Sequence, residues 1–301
     1  MPRLSLVLLF LLVFTWTVGA PTIPLKAQQF HPISLPLQFR DSLLFIPVMV
    51  HGQGPYLFAI DTGSSATVSV DVNLAKQLSL LPTGTTLLDD STGRNTQVHP
   101  TTQINVISIG TKEFRNLTAS IINLNDKKSA PRLDGMLGFR LFEDHLLTLD
   151  FPGKRFYLEQ GNLSKTDGKM ILPMKRIQSL PAVEISIQTV KVDALIDTGN
   201  LARRLVIAAP LARTLIYTSY EGTVVSARSF CNDYKFSEAQ LKSNIAIGNY
   251  HFSSPVILWS PDYIYNNLGS VFLKDFVITF DQKKNLVKIS YEYHPQAASA
   301  G

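Results

Sequence analysis

The 301-residue chain has very little cysteine, and Cys231 is the single one. A lone cysteine excludes an internal disulfide, and no histidine pattern near it suggests a thiol nucleophile. The motifs of several other chemistries are also missing: there is no His-Glu-x-x-His, Cys-x-x-Cys, Gly-x-Ser-x-Gly or phosphate-binding loop. The six histidines are spread singly along the chain, so the sequence predicts no metal site.

Charge is modest, with a formal net charge of +5 and basic residues that are scattered rather than gathered in a stripe. A nucleic-acid-binding surface usually has such a stripe with aromatic side chains between the basic ones. Nucleic acid is therefore not a predicted partner.

Long apolar runs are scarce as well, and the one that stands out is Leu4 to Trp16. Arg3 precedes this run, and the residues that follow it up to Ala20 are small or compatible with a cleavage site. This pattern is typical of a secretory signal peptide cleaved after Ala20. The run is short for a membrane span, although retention as a signal anchor is the alternative. We expect an exported protein, periplasmic or extracellular, with no other membrane segment.

The chain does contain a repeated segment that carries an aspartate. Phe58–Ser64 reads Phe-Ala-Ile-Asp-Thr-Gly-Ser, and Ala194–Asn200 reads Ala-Leu-Ile-Asp-Thr-Gly-Asn. Each apolar run delivers one aspartate, Asp61 or Asp197, to a Thr-Gly turn. Two facing carboxylates cannot both ionise easily, so they share a proton, and one becomes an acid while the other stays a base. Such a pair can activate water.

The repeat extends beyond this motif, because further segments recur in the same order at nearly constant separation. The matching segments are Leu74–Leu78 with Leu211–Leu215, Ile109–Phe114 with Ile247–Phe252, Met136–Phe139 with Leu268–Phe272, and the hairpin patterns Leu147–Lys154 with Ile278–Asn285. Small drifts in separation are what loop-length changes in a duplicated unit would give, and chance is a poor explanation.

With these motifs, the chain resembles the aspartic peptidases of the pepsin and retropepsin type, most of all the bacterial two-lobed retropepsin-like aspartyl proteases. Ala194–Gly199 is close to the retropepsin signature, and Leu268–Leu273 resembles the C-terminal lobe of a pepsin. The similarity runs from about Leu43 to Tyr291. It implies an all-β, mainly β fold with short helices: the bilobal acid-protease fold, made of two homologous β-barrel-like lobes.

A polar stretch at residues 161–169 suggests the linker between the lobes. The predicted domains are a signal peptide at 1–20, an N-terminal lobe at 21–165, a C-terminal lobe at 166–294 and a flexible tail at 295–301.

The resemblance also implies a set of site residues. Asp61 and Asp197 would be the catalytic dyad. The residues that would support the two active-site loops are Thr62, Gly63, Ser64, Thr198, Gly199 and Asn200. The threonines would lock the loops together, the Ser64 hydroxyl could bond Asp61, and the Asn200 amide could donate to Asp197. Which aspartate holds the proton stays open, because a coupled pair titrates as a unit.

A candidate flap tip lies at Thr92, Gly93 and Arg94. Pepsins carry a tyrosine on the hairpin that covers the cleft, whereas the corresponding stretch here, Leu87–Pro100, has none. It is either a mobile polar lid or an exposed turn of no special role.

The sequence thus predicts an aspartic endopeptidase that hydrolyses peptide bonds with water activated by Asp61 and Asp197. The substrate would be a peptide or protein, and no metal or organic cofactor is implied. A monomer is expected because both aspartates are on one chain. The alternative is a catalytically silent peptide-binding module with the same fold.

Overall fold

The structure is a computed structural model that describes residues 31–88, 96–125, 132–200, 204–228 and 233–291. Within these ranges the chain is mostly β-strand with short helices, so the predicted all-β fold class is confirmed. The predicted signal peptide and tail, and the candidate flap tip at Thr92, Gly93 and Arg94, lie outside the described residues.

The first half of the chain contains eleven of the described strands. Its strands are β1 (Ile33–Pro36), β2 (Gln38–Arg40), β3 (Leu43–Val50), β4 (Gln53–Asp61), β5 (Val68–Asp71), β6 (Gly84–Leu88), β7 (Gln97–Ile109), β8 (Lys112–Ile122), β9 (Gly135–Gly138), β10 (Leu146–Asp150) and β11 (Arg155–Glu159). The helix α1 (Val72–Gln77) follows β5, and a 3-10 turn spans Phe139–Phe142.

The second half is also built of strands with short helices. Its strands are β12 (Ile171–Ile177), β13 (Leu180–Ile187), β14 (Val190–Asp197), β15 (Leu205–Ala208), β16 (Tyr217–Arg228), β17 (Asp233–Leu241), β18 (Ile245–Ile247), β19 (Tyr250–Phe252), β20 (Val256–Ser260), β21 (Asn266–Gly269), β22 (Phe276–Asp281) and β23 (Leu286–Tyr291). The helices are α2 (Ala209–Ala212) and α3 (Ser270–Leu273).

The strands that end at the two aspartates are placed in the same way. β4 pairs in parallel with β9, with Asp61 opposite Gly138, and β14 pairs in parallel with β21, with Asp197 opposite Gly269. The residues just before each aspartate are almost fully buried, because they are apolar and lie in the centre of a sheet. Each aspartate therefore stands at the end of a strand fixed by the core.

Two sheets contain the described strands. One has eight strands in the order β2-β3-β4-β9-β5-β8-β7-β6. The other has fifteen, in the order β1-β11-β10-β22-β23-β12-β13-β14-β21-β15-β20-β17-β16, with β18 and β19 attached beside β13. The antiparallel pairing of β10 with β22 joins the two halves, and there the hydroxyls of Thr148 and Thr279 lie 2.8 Å apart.

Among the described residues, no helix combines the length and the apolar character that a bilayer crossing requires.

Asp71 ties α1 to the sheet of the first half. Its buried carboxylate caps the helix by accepting hydrogen bonds from Asn73 N and Nδ2, both at 2.9 Å. It also accepts one from Leu124 N at 3.0 Å. The bond to Leu124 spans 53 residues and therefore depends on the tertiary fold.

We expect Asp71→Ala to lower the free energy of unfolding by about 2–4 kcal/mol, because it removes a helix cap and leaves the N–H of Leu124 without a partner. Urea denaturation would measure the loss. The control is Asp144→Ala, which removes only the exposed ion pair with Lys283 and should change stability by less than about 1 kcal/mol. Equal losses in the two variants would contradict this role of Asp71.

Candidate active site

The site forms where β4 and β14 end. Asp61 and Asp197 are the last residues of these strands, and each is followed by a tight Thr-Gly turn. In each turn the backbone N–H two residues after the threonine bonds back to the aspartate carbonyl: Ser64 N to Asp61 O, and Asn200 N to Asp197 O, both at 3.2 Å. The two loops thus have the same local structure, as their repeated sequence predicts.

Two completely buried threonines join the loops by reciprocal hydrogen bonds. The Thr62 hydroxyl accepts from Thr198 N at 3.0 Å and donates to Ile196 O at 2.6 Å. The Thr198 hydroxyl accepts from Thr62 N at 3.0 Å and donates to Ile60 O at 2.7 Å. Each hydroxyl satisfies one N–H and one carbonyl of the opposite half, so these buried polar groups are all paired. The loops are therefore fixed relative to each other.

Each carboxyl group lies over the glycine of the opposite loop. A Cβ added to Gly63 would be 2.2 Å from Asp197 Oδ1, and one added to Gly199 would be 2.4 Å from Asp61 Cγ. A side chain at either position would displace a carboxyl group, so the close approach requires glycine. The same glycines orient the aspartates, since Gly63 N donates to Asp61 Oδ1 at 2.9 Å and Gly199 N donates to Asp197 Oδ1 at 3.0 Å.

A second pair of glycines lies beneath the loops. Gly138 N donates to Thr67 O at 3.0 Å, and a Cβ at this position would be 1.8 Å from the carbonyl oxygen of Ala66. In the other half, Ser270, the residue after Gly269, donates its N–H to Asn200 O at 3.0 Å. The apolar-Gly segments therefore support the loops from below.

The two carboxyl groups lie close together, since each is held over the glycine of the opposite loop. Burial, followed by the negative charge of Asp197, raises the pKa of Asp61 to about 8. Burial also raises the pKa of Asp197, but hydrogen bonds from Asn267, Gly199 and Asn200 act in the opposite direction. The pair therefore holds a proton at a pH where isolated carboxyl groups have lost theirs.

The hydrogen-bond donors around the pair are not symmetric. Asp197 Oδ1 accepts from Gly199 N and from Asn200 N, the latter at 3.1 Å. Asp197 Oδ2 accepts from the side-chain amide of Asn267 at 2.8 Å. Donors of this kind stabilise the ionised form of a carboxyl group.

One expected contact differs in the structure. The Ser64 hydroxyl donates to Ala66 O at 3.4 Å rather than to Asp61, because the turn directs it along its own loop. The backbone N–H of Asn200 donates to the Asp197 carboxylate, so a hydrogen bond links these two residues as expected. Asn267 was not among the predicted site residues. The available signal was that Asn267 lies in an apolar-Gly segment, whereas the equivalent segment of the first half has Met136 at that position.

In the described ranges, no three His, Cys, Asp or Glu side chains gather into a group that could hold a metal ion. The site offers two neighbouring carboxyl groups with raised pKa values, one able to give a proton and the other to accept one.

We expect Thr62→Val to lower the free energy of unfolding by about 2–4 kcal/mol, because it leaves buried groups of the other loop without partners. Thr62→Ser, which keeps the hydroxyl, is the matched control and should lose clearly less. The double variant Thr62→Val/Thr198→Val should lose less than the sum of the single variants, because the two threonines share one network. If the losses of unfolding free energy measured by urea denaturation were strictly additive, they would argue against a shared network of the two threonines.

Comparisons with known proteins give one family match and a similar solved structure. Residues 46–141 match the family model described as "Aspartyl protease". A solved structure, a retropepsin-like aspartic protease from Rickettsia conorii, is 23% identical with a TM-score of 0.32 and covers 43% of this chain and 91% of its own. The search of curated proteins found no match. The family match covers the first aspartate loop and confirms the resemblance to aspartic peptidases over residues 46–141.

Proposed function

We propose that the chain is an aspartic endopeptidase in which Asp61 and Asp197 activate one water molecule for peptide hydrolysis. The observation that carries the proposal is the contact between the two carboxyl groups, each above the opposite glycine. The fold holds two like-charged groups together at a cost, which a shared proton relieves. A structural role alone does not require this arrangement.

The donors around Asp197 favour it as the ionised member, and Asp61 as the member that keeps the proton. A water molecule between the carboxyl groups would give a proton to Asp197 as its oxygen attacks the peptide carbonyl carbon. The protonated Asp61 would donate a hydrogen bond, and then its proton, to the carbonyl oxygen. The product of this step is a neutral tetrahedral diol with no covalent bond to the protein.

The second step reverses the roles of the two groups. The proton on Asp197 passes to the amide nitrogen, the carbon–nitrogen bond breaks, and Asp61 takes back a proton from a hydroxyl of the diol. The products are a carboxylic acid and an amine, and the pair again holds one proton. The overall reaction consumes one water molecule per peptide bond.

The substrate that suits such a site is an extended peptide, which is bound largely through main-chain hydrogen bonds. We also propose that the chain acts as a monomer, since a single chain supplies both aspartates. Export and removal of residues 1–20 remain predictions from the sequence, because this segment lies outside the described residues.

We expect Asp61→Asn and Asp197→Asn each to lower kcat by at least about 100-fold, because each removes one of the two proton-transfer groups. The assay is cleavage of a random peptide library, with circular dichroism to verify the fold. Asp193→Asn is the control: it changes an aspartate on the same strand that pairs with Lys175 at 2.7 Å, and activity should stay near that of the unmodified chain.

The outcomes of this assay separate the proposal from its alternative. Near-full turnover in a folded Asp61→Asn or Asp197→Asn variant would refute the dyad. Peptide binding without cleavage by the unmodified chain would instead identify a silent binding module.

The rate should show a bell-shaped dependence on pH, because the pair is active only when it holds one proton. As pH rises through the pKa of Asp61, about 8, both groups become ionised and the acid is lost. As pH falls through the lower apparent pKa, Asp197 is protonated and the base is lost. We therefore expect kcat/KM to fall on both sides, with the alkaline limb near pH 8. A rate that climbs steadily into alkaline solution would contradict a shared proton.

A further inference from the structure

Asn267 and Met136 occupy equivalent places in the two halves. Each lies two residues before the glycine beneath an active-site loop, on the strand that runs parallel to the strand of the aspartate: Met136 is opposite Ala59 and Asn267 is opposite Leu195. Both side chains are buried, and Met136 packs in an apolar cluster of the first half. Equivalent positions thus hold a thioether in one half and an amide in the other.

The Asn267 amide points its N–H group at one carboxylate. Nδ2 is 2.8 Å from Asp197 Oδ2 and 3.2 Å from the hydroxyl of Tyr263. If the Asn267 amide were rotated by half a turn, its oxygen would face a carboxylate oxygen, and the two would repel each other. Asn267 is completely buried, and within the described part of the chain its Oδ1 has no hydrogen-bond partner.

An amide in this position is costly as a core residue. A buried polar group without a partner destabilises a fold, and an apolar side chain like that of Met136 would avoid the cost. Tyr263, which is itself 5% exposed and packs against Phe236, helps to hold the amide by accepting a second hydrogen bond from Nδ2. The contact that offsets the cost is the charge-assisted hydrogen bond to Asp197.

We propose that Asn267 is a positioning residue that makes Asp197, rather than Asp61, the ionised member of the pair. An N–H donor stabilises a carboxylate more than a carboxylic acid, and Met136 cannot donate to Asp61. The proton is thereby directed to Asp61, so the two carboxyl groups have fixed roles. The inference deepens the proposed function, on which its kinetic test rests.

The kinetic test is the variant Asn267→Leu, which has a similar shape and no donor. The acidic limb of kcat/KM should move to higher pH by about one unit, because Asp197 loses a stabilising donor. The alkaline limb should move less, because Asp61 loses its proton from a state in which Asp197 is already ionised. A fall in kcat with both limbs in place would overturn the proposal and leave Asn267 a structural residue.

The matched control is Asn266→Leu. Asn266 is the neighbouring asparagine on β21, but its side chain bonds only backbone atoms in the described chain: Nδ2 donates to Asp193 O at 2.9 Å, and Oδ1 accepts from Ala208 N at 3.0 Å. This variant should lower the free energy of unfolding while both pH limbs stay in place. A shift of the acidic limb equal to that of Asn267→Leu would overturn the specific role of Asn267.

A second measurement does not need turnover. Titration of ¹³C-labelled aspartate carboxyl groups by NMR in the unmodified chain, with assignment from Asp61→Asn and Asp197→Asn, should show Asp197 ionising first. This result would support the inference even if Asn267→Leu failed to fold or the chain cleaved no peptide, and the latter outcome would count against the proposed function alone. Ionisation of Asp61 first, or of both groups equally, would overturn the inference.

Discussion

The reciprocal hydrogen bonds between Thr62 and Thr198 are the contact on which the rest of the site depends. Each threonine satisfies backbone groups of the other half, and both are completely excluded from water. Since bonds of this kind are lost together when the loops separate, they can oppose the repulsion between two carboxyl groups that the fold holds in contact. Burial, and then the negative charge of Asp197 in that enforced contact, raises the pKa of Asp61.

Much of this arrangement can be predicted from the sequence, because it is local and repeated. Two Asp-Thr-Gly turns after apolar runs predict two equivalent loops. The repeated hairpin patterns Leu147–Lys154 and Ile278–Asn285 each contain an aspartate, Asp150 or Asp281, that accepts a backbone N–H of its own hairpin, from Gly153 and Lys284. In these cases the partner is only a few residues away.

What could not be predicted depends on pairings between distant segments. Asn267 reaches Asp197 only because β21 lies in parallel beside β14, although the residues are 70 positions apart in sequence. The joining of β10 to β22 likewise follows from how the two halves meet, which no local pattern encodes. The Ser64 hydroxyl was expected at the carboxylate, but the direction of a side chain in a turn is set by dihedral angles that the sequence leaves open.

A duplicated chain also has a freedom that a symmetric dimer lacks. In a two-fold dimer every substitution occurs on both sides of the axis, so Met136 and Asn267 could not differ. Covalent linkage of the halves removes this constraint and allows the two aspartates to have different surroundings.

The pairing of β10 with β22 has a further consequence for the order of events during biosynthesis. β10 is complete at residue 150, but its partner ends at residue 281, near the C-terminal end of the described chain. The strand of Asp197 likewise obtains its parallel neighbour only when residues 266–269 have been synthesised. A ribosome-bound fragment therefore carries the first aspartate long before residues 266–269 can complete the surroundings of the second, so the two carboxyl groups cannot reach their final arrangement until that segment has been made.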